Sequence, residues 1–99
     1  MKNLPIEEFI VLQKKGALPM DAVVIDVRMD GEYDLEHLPH AINIDVSHPN
    51  FMHAVQKLDK TKPYYLYCAS GGRSQVAAQM MSAIGFTDVT NLEGGMMVL

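Results

Sequence analysis

The sequence predicts an α/β domain with a central, mostly parallel sheet and helices on both faces. Three observations carry this. Short unbroken apolar runs rich in β-branched or aromatic residues, such as 22–27 and 64–67, read as buried strands. Segments such as 51–58 and 74–84 repeat their apolar residues at helical spacing instead. The two kinds alternate through short turns, the pattern of parallel strands joined by crossover helices.

Taken in order, Pro5 to Lys15 reads as a helix with Ile6, Phe9 and Ile10 on one face. Glu7 and Glu8 suit its positive end, Lys14 and Lys15 its negative end, and Gly16 closes it. Ala22 to Val27 is a strand, Asp30 to Leu35 a short helix or turn, and Ala41 to Ile44 a second short strand. Phe51, Ala54, Val55 and Leu58 mark another helix. Tyr64 to Tyr67 is the strand that delivers Cys68. Val76, Ala77, Met80, Met81 and Ile84 form the stripe of the next helix, with Gly85 as its stop. Val89 to Leu92 is the last strand, followed by Gly94, Gly95 and a short apolar tail.

The 99 residues fit a single domain, without repeats, low-complexity tracts or linkers. Apolar residues make up 48% and charged residues 20%, an ordinary globular composition. The net charge of −4 offers no basic patch for nucleic acid. Apolar runs fall far short of the roughly twenty residues that span a bilayer, so no membrane association is expected. Residues 1–8 lack the apolar core of a signal peptide, and one cysteine forms no internal disulfide. A reducing, cytoplasmic setting is the expectation.

That cysteine opens the stretch Cys68-Ala69-Ser70-Gly71-Gly72-Arg73-Ser74, between a strand and a helix. A helix start presents unpaired N–H groups and the positive end of a dipole, both of which favour a thiolate. Gly71 and Gly72 permit the backbone angles that turn successive N–H groups inward into an anion cradle. Ala69 to Ser74 are therefore the candidate substrate-binding residues around a nucleophilic Cys68. The same donors would hold a second, outer sulfur carrying negative charge. Arg73 has two readings: it strengthens the field at the sulfur, or it pairs with a carboxylate such as Asp26 or Glu32. Ser74 suits a helix cap as well as a loop donor.

Other segments run in a telling order. They are Val24-Ile25-Asp26-Val27-Arg28, Glu32-Tyr33, His37-Leu38-Pro39-His40-Ala41-Ile42-Asn43-Ile44, Gly85-Phe86 and Asn91-Leu92-Glu93-Gly94-Gly95. With the cysteine loop, this set resembles the single-domain rhodaneses, which are thiosulfate or persulfide sulfurtransferases. The resemblance covers nearly the whole chain from residue 22 onward. It implies a rhodanese-like fold and a Cys68 persulfide that moves sulfur from a small-molecule or protein donor to a thiol, or to cyanide in an assay. It implies no metal and no organic cofactor. Glu36 and His40 replace two glycines of the family pattern. The helix that follows the family's double glycine is expected to be missing or shortened here. The loop also lacks the second basic residue that some thiosulfate-using members carry.

Blander readings apply elsewhere. Asp26 and Arg28 read as structural support near the sheet edge. Asp30, Glu32, Asp34 and Glu36 read as a solvated face, since they lack the glycine and terminal glutamate of a calcium loop. Pro39 between His37 and His40 opposes a helix that would present both to a metal. The rival functions are a binding module without chemistry, a redox sensor lacking a resolving cysteine, and a phosphatase or arsenate reductase of related fold. That last class uses a loop one residue longer than the four residues between Cys68 and Arg73.

Overall fold

The computed structural model describes residues 1–99. The elements run β1 (Lys2–Pro5), α1 (Ile6–Lys14), β2 (Val23–Asp26), α2 (Asp30–Leu35), β3 (Ile42–Asn43), α3 (Phe51–Gln56), β4 (Pro63–Tyr67), α4 (Gly72–Ala83) and β5 (Asp88–Glu93). The strands form one sheet in the order β1-β5-β4-β2-β3, and every neighbouring pair is parallel.

Helices cover both faces of this sheet, because successive strand residues point to opposite sides. On one face α3 and α4 bury Ile25, Leu66 and Val89 with Phe51, Val55, Ala77, Ala78 and Met81. On the other, Ile6 and Phe9 of α1 pack with Val24, Tyr67, Leu92 and the Leu38–Ala41 turn. Each large side chain removed from water contributes about 1.5–3 kcal/mol, so both layers are needed to hold a sheet this small. Cys68 continues the pleat of β4 and lies with the α3–α4 layer.

Three details depart from the sequence reading. Lys2–Pro5 forms an edge strand ahead of the predicted helix, with Asn3 opposite Asn91 and Leu4 opposite Leu92. All its residues but Leu4 are polar or exposed, so little in their pattern announces a strand; the unpaired edge of β5 recruits them. The helix after the loop begins at Gly72, ahead of Ser74, with Gly71 before it at a φ of 99°. Its inward face is Ser74, Ala77, Ala78 and Met81, while Val76 is 52% exposed. Small residues face the sheet because they let the helix axis approach closely. After β5 the chain makes one 3-10 turn, Met96–Val98.

His40 occupies one of the two glycine positions of the family pattern and keeps the glycine-type backbone, with a φ of 64°. A side-chain-bearing residue pays roughly 1–2 kcal/mol there, partly offset by the greater freedom a glycine loses on folding, about 0.5–1 kcal/mol. The His40 side chain is exposed, so its removal sacrifices no packing. His40→Gly is therefore expected to stabilise the protein by up to about 1 kcal/mol, read as a higher urea midpoint at unchanged slope. A lower midpoint would show that the imidazole holds the turn.

Candidate active site

β4 ends at Tyr67 and α4 starts at Gly72. The intervening chain wraps around the Cys68 sulfur, which is fully buried. The Gly71 N–H donates to Sγ at 3.0 Å, and the Ser74 N–H and Ser74 hydroxyl lie 3.4 Å from it. The Ser70 N–H also favours the charged form of the sulfur. Burial pushes the thiol pKa up. The Ser74 hydroxyl, which can turn its proton to a thiolate, and the inward N–H groups outweigh it and bring the pKa below its ordinary value.

Arg73 does not reach the sulfur. Its guanidinium forks onto Glu32 of α2, with Nη1 donating to Oε1 at 2.8 Å and Nη2 to Oε2 at 3.0 Å. Glu32 also accepts the Met29 N–H at 3.2 Å. The Arg73 pairing holds the Glu32 carboxyl below the usual carboxylate range. The loop therefore displays an ion pair where the sequence suggested a free positive charge as one of two readings. Glu32 thus pairs with the loop arginine, as the second reading of Arg73 allowed, and stands apart from the solvated acidic face. Both side chains remain about a third exposed.

Ser74 sits inside the first turn of α4, so it is not a helix cap. It is buried with Asn91 of β5, to which its hydroxyl donates at 2.6 Å. Asn91 is the residue that sequence reading missed. Its signal was a polar pair, Thr90-Asn91, between the apolar Val89 and Leu92, and both side chains are buried. Ala69 supplies backbone only: its carbonyl accepts the Met97 N–H at 2.8 Å. Gly72 is exposed at the helix start. A polar groove of about 240 Å³ runs between the loop and the end of β5, bordered by Ser70, Gly71, Gly72, Asn91 and Glu93.

Asp26 and Arg28 lie behind this site as a buried pair. Arg28 donates from Nε at 3.0 Å to Oδ1 and from Nη2 at 2.7 Å to Oδ2 of Asp26, and its second Nη2 bond reaches the Glu36 carbonyl at 2.6 Å. The guanidinium also stacks over the Tyr67 ring, 5.7 Å from its centroid. Neither residue contacts the sulfur; they join the ends of β2 and β4 to the 36–38 segment. His37 stacks on Tyr33, and no cluster of His, Cys, Asp and Glu side chains gathers in metal-binding geometry. No helix is long and apolar enough to cross a membrane.

Known proteins are similar to this chain in sequence and in fold. A thiosulfate sulfurtransferase, GlpE, of Pseudomonas syringae pv. syringae is 30% identical over 95% of this chain and 82% of its own length. A tRNA uridine(34) hydroxylase of Aster yellows witches'-broom phytoplasma is 35% identical over 94% of this chain, which spans only 35% of that relative. A tRNA sulfurtransferase of Thermoplasma acidophilum is 36% identical over 77% of the chain, which spans 15% of that relative. Among solved structures, a rhodanese-like domain protein from Staphylococcus aureus superposes with a TM-score of 0.80 at 30% identity, covering 97% of this chain and 88% of that one. The model of the rhodanese-like domain matches residues 7–98, from α1 through the cysteine loop to the final turn. With sheet order, loop and relatives in agreement, the chain belongs to the rhodanese-like domain family.

Proposed function

We propose that this protein is a sulfurtransferase in which Cys68 carries the transferred sulfur as a persulfide. The observation behind this reading is a sulfur held at a helix start by inward N–H donors, with a hydroxyl 3.4 Å away. In the first step the Cys68 thiolate attacks the outer sulfur of a donor. A new S–S bond forms, the donor's S–S bond breaks, and its electron pair leaves with a thiolate or with sulfite. In the second step an acceptor thiolate attacks the outer sulfur and regenerates the Cys68 thiolate. The steps are separate displacements, so ping-pong kinetics follow. The chemistry needs neither metal nor organic cofactor. It needs a reduced thiol, which suits the cytoplasm.

The donor class follows from charge. Arg73 is neutralised by Glu32 and also feels Asp45, and the protein as a whole carries −4. A dianion such as thiosulfate meets no free positive charge at the loop. A persulfide presented by a protein or small thiol carries less charge and loses less. The phosphatase alternative needs a ring wide enough for a tetrahedral dianion, whereas Gly71 N closes to 3.0 Å on the sulfur. Because Cys68 is fully buried, a donor reaches it only as the loop mouth widens around a slender group.

Incubation with a persulfide donor is expected to add the mass of one sulfur atom, removable by a reductant, to the wild type and not to Cys68→Ser. An unmodified wild-type mass would overturn the persulfide reading. The alkylation rate of Cys68 should reach its half-maximum below pH of about 8.5, the free-thiol value; a midpoint at or above it would mean that burial defeats the donors. Glu32→Gln releases the Arg73 charge. It is expected to lower the KM for thiosulfate by roughly three- to tenfold, about 0.7–1.4 kcal/mol, and to leave the KM for a protein-bound persulfide nearly unchanged. Equal changes for both donors would show that the ion pair only shapes the loop.

A further inference from the structure

Ser74 has one hydroxyl proton and three acceptors within reach: Asn91 Oδ1 at 2.6 Å, the Gly71 carbonyl at 3.2 Å and Cys68 Sγ at 3.4 Å. All four residues are buried, so these groups compete chiefly with one another. Asn91 is the one partner that can reverse its role. With Oδ1 toward Ser74 it accepts the hydroxyl proton, and the sulfur receives none. With its amide turned over, Nδ2 donates to Ser74 Oγ, and the hydroxyl is free to donate to Sγ. A thiol suits the first arrangement and an anionic sulfur the second, because a hydrogen bond to an ion is roughly twice as strong as a neutral one.

The far side of Asn91 permits the reversal. Its Nδ2 donates to Asn3 Oδ1 at 3.2 Å, across the register that sets Asn3 opposite Asn91. Asn3 is exposed on the edge strand, so its amide turns in solvent and follows either state of Asn91. A line of reversible amides thus runs from the surface of β1 through β5 to the sulfur.

We infer that Asn91 is a positioning residue for the sulfur nucleophile, acting through Ser74 by directing the hydroxyl proton toward Sγ when the sulfur is anionic. The inference rests on the reading of Cys68 as the sulfur carrier, yet thiol acidity is measurable without any turnover. Charged groups around the site are accounted for separately. Arg73 of α4, the one coupled to Cys68, is tied to Glu32 of α2. Asp26 of β2 is paired with Arg28, and Glu93 at the end of β5 is exposed.

A double-mutant cycle read by the pH dependence of Cys68 alkylation tests this. Asn91→Leu keeps volume and removes the reversible donor. With no amide to donate to Ser74 Oγ, the hydroxyl proton goes to the Gly71 carbonyl at 3.2 Å, nearer than Sγ at 3.4 Å, so the variant is expected to raise the alkylation midpoint by about half to one pH unit, a three- to tenfold loss of thiolate near neutrality. Ser74→Ala should raise it at least as far, and adding Asn91→Leu to Ser74→Ala should change nothing more. No shift in Asn91→Leu, or an additive shift in the double variant, would overturn the inference. Should Asn91→Leu not fold, Asn91→Asp, an isosteric acceptor that retains the Ser74 proton, serves instead. Its rise in midpoint should shrink when Ser74→Ala is also present; an equal rise in both backgrounds would reflect charge alone and overturn the inference. Persulfide formation, read by mass in the wild type, fails or succeeds independently of this cycle.

Discussion

A loop that turns its N–H groups inward must turn its carbonyls outward, and those carbonyls need donors. This constraint governs the site. The Cys68 carbonyl accepts the Met96 N–H at 3.0 Å, the Ala69 carbonyl the Met97 N–H at 2.8 Å, and the Gly71 carbonyl the Gln75 N–H at 3.1 Å. The residues after β5 therefore complete the cradle, although they contribute no side chain to it. Gly95 shows how closely the two segments meet: a Cβ there would lie 2.5 Å from both the Cys68 and Ala69 carbonyl oxygens. Any side chain at Gly95 would push the loop off the final turn and free the carbonyls that orient its amides. The double glycine is a structural condition for the anion cradle, set more than twenty residues away from the cysteine it serves.

The Asp26–Arg28 pair plays a comparable part on the opposite side. Burying two charges costs several kcal/mol per ion unless geometry and hydrogen bonds compensate. Here Asp26 Oδ1 also accepts the Arg28 N–H at 2.9 Å, and the Tyr67 hydroxyl accepts the Leu38 N–H at 3.0 Å. No buried side-chain polar atom in the protein lacks a partner. Burial of Tyr67 raises its pKa, which keeps this hydroxyl neutral beside Asp26. The pair leaves the loop's front free for chemistry because its own valences are consumed in joining β2, β4 and the 36–38 segment.

Local pattern made most of the sheet legible. Strands with unbroken apolar runs and helices with periodic stripes announce themselves, and β2, β4, β5 and the helices around them appear where the residues suggest. β1 was hidden because an edge strand buries little, and its pairing partner lies almost the whole chain away. Of the α4 stripe only Val76 faces away from the core, against which Met80 and Ile84 also pack; apolarity alone ranks Val76 above Ala78, whereas close approach to the sheet selects the alanine. At the site, the cysteine loop was legible since its spacing carries its own geometry. Glu32, Asn91 and Gly95 gain their roles from contacts across 41, 17 and roughly 27 positions of sequence respectively. Such contacts exist only once the sheet has formed.

The site divides its electrostatics by range. Close to the sulfur, the Gly71 and Ser74 N–H groups, joined by the Ser74 hydroxyl when the sulfur is anionic, act over hydrogen-bond distances in a buried site where each is worth more than in solvent. Farther out, the Arg73–Glu32 pair presents no net charge and the surface is acidic overall. Fields from exposed charges fade over about 8–10 Å at physiological salt, so the negative surface does not cancel what the donors do at one atom. It does act on an approaching anion before contact. The geometry therefore stabilises a sulfur anion once formed without attracting anions from solution. That separation favours a donor recognised by its own body, and a transfer in which negative charge stays on sulfur within the loop.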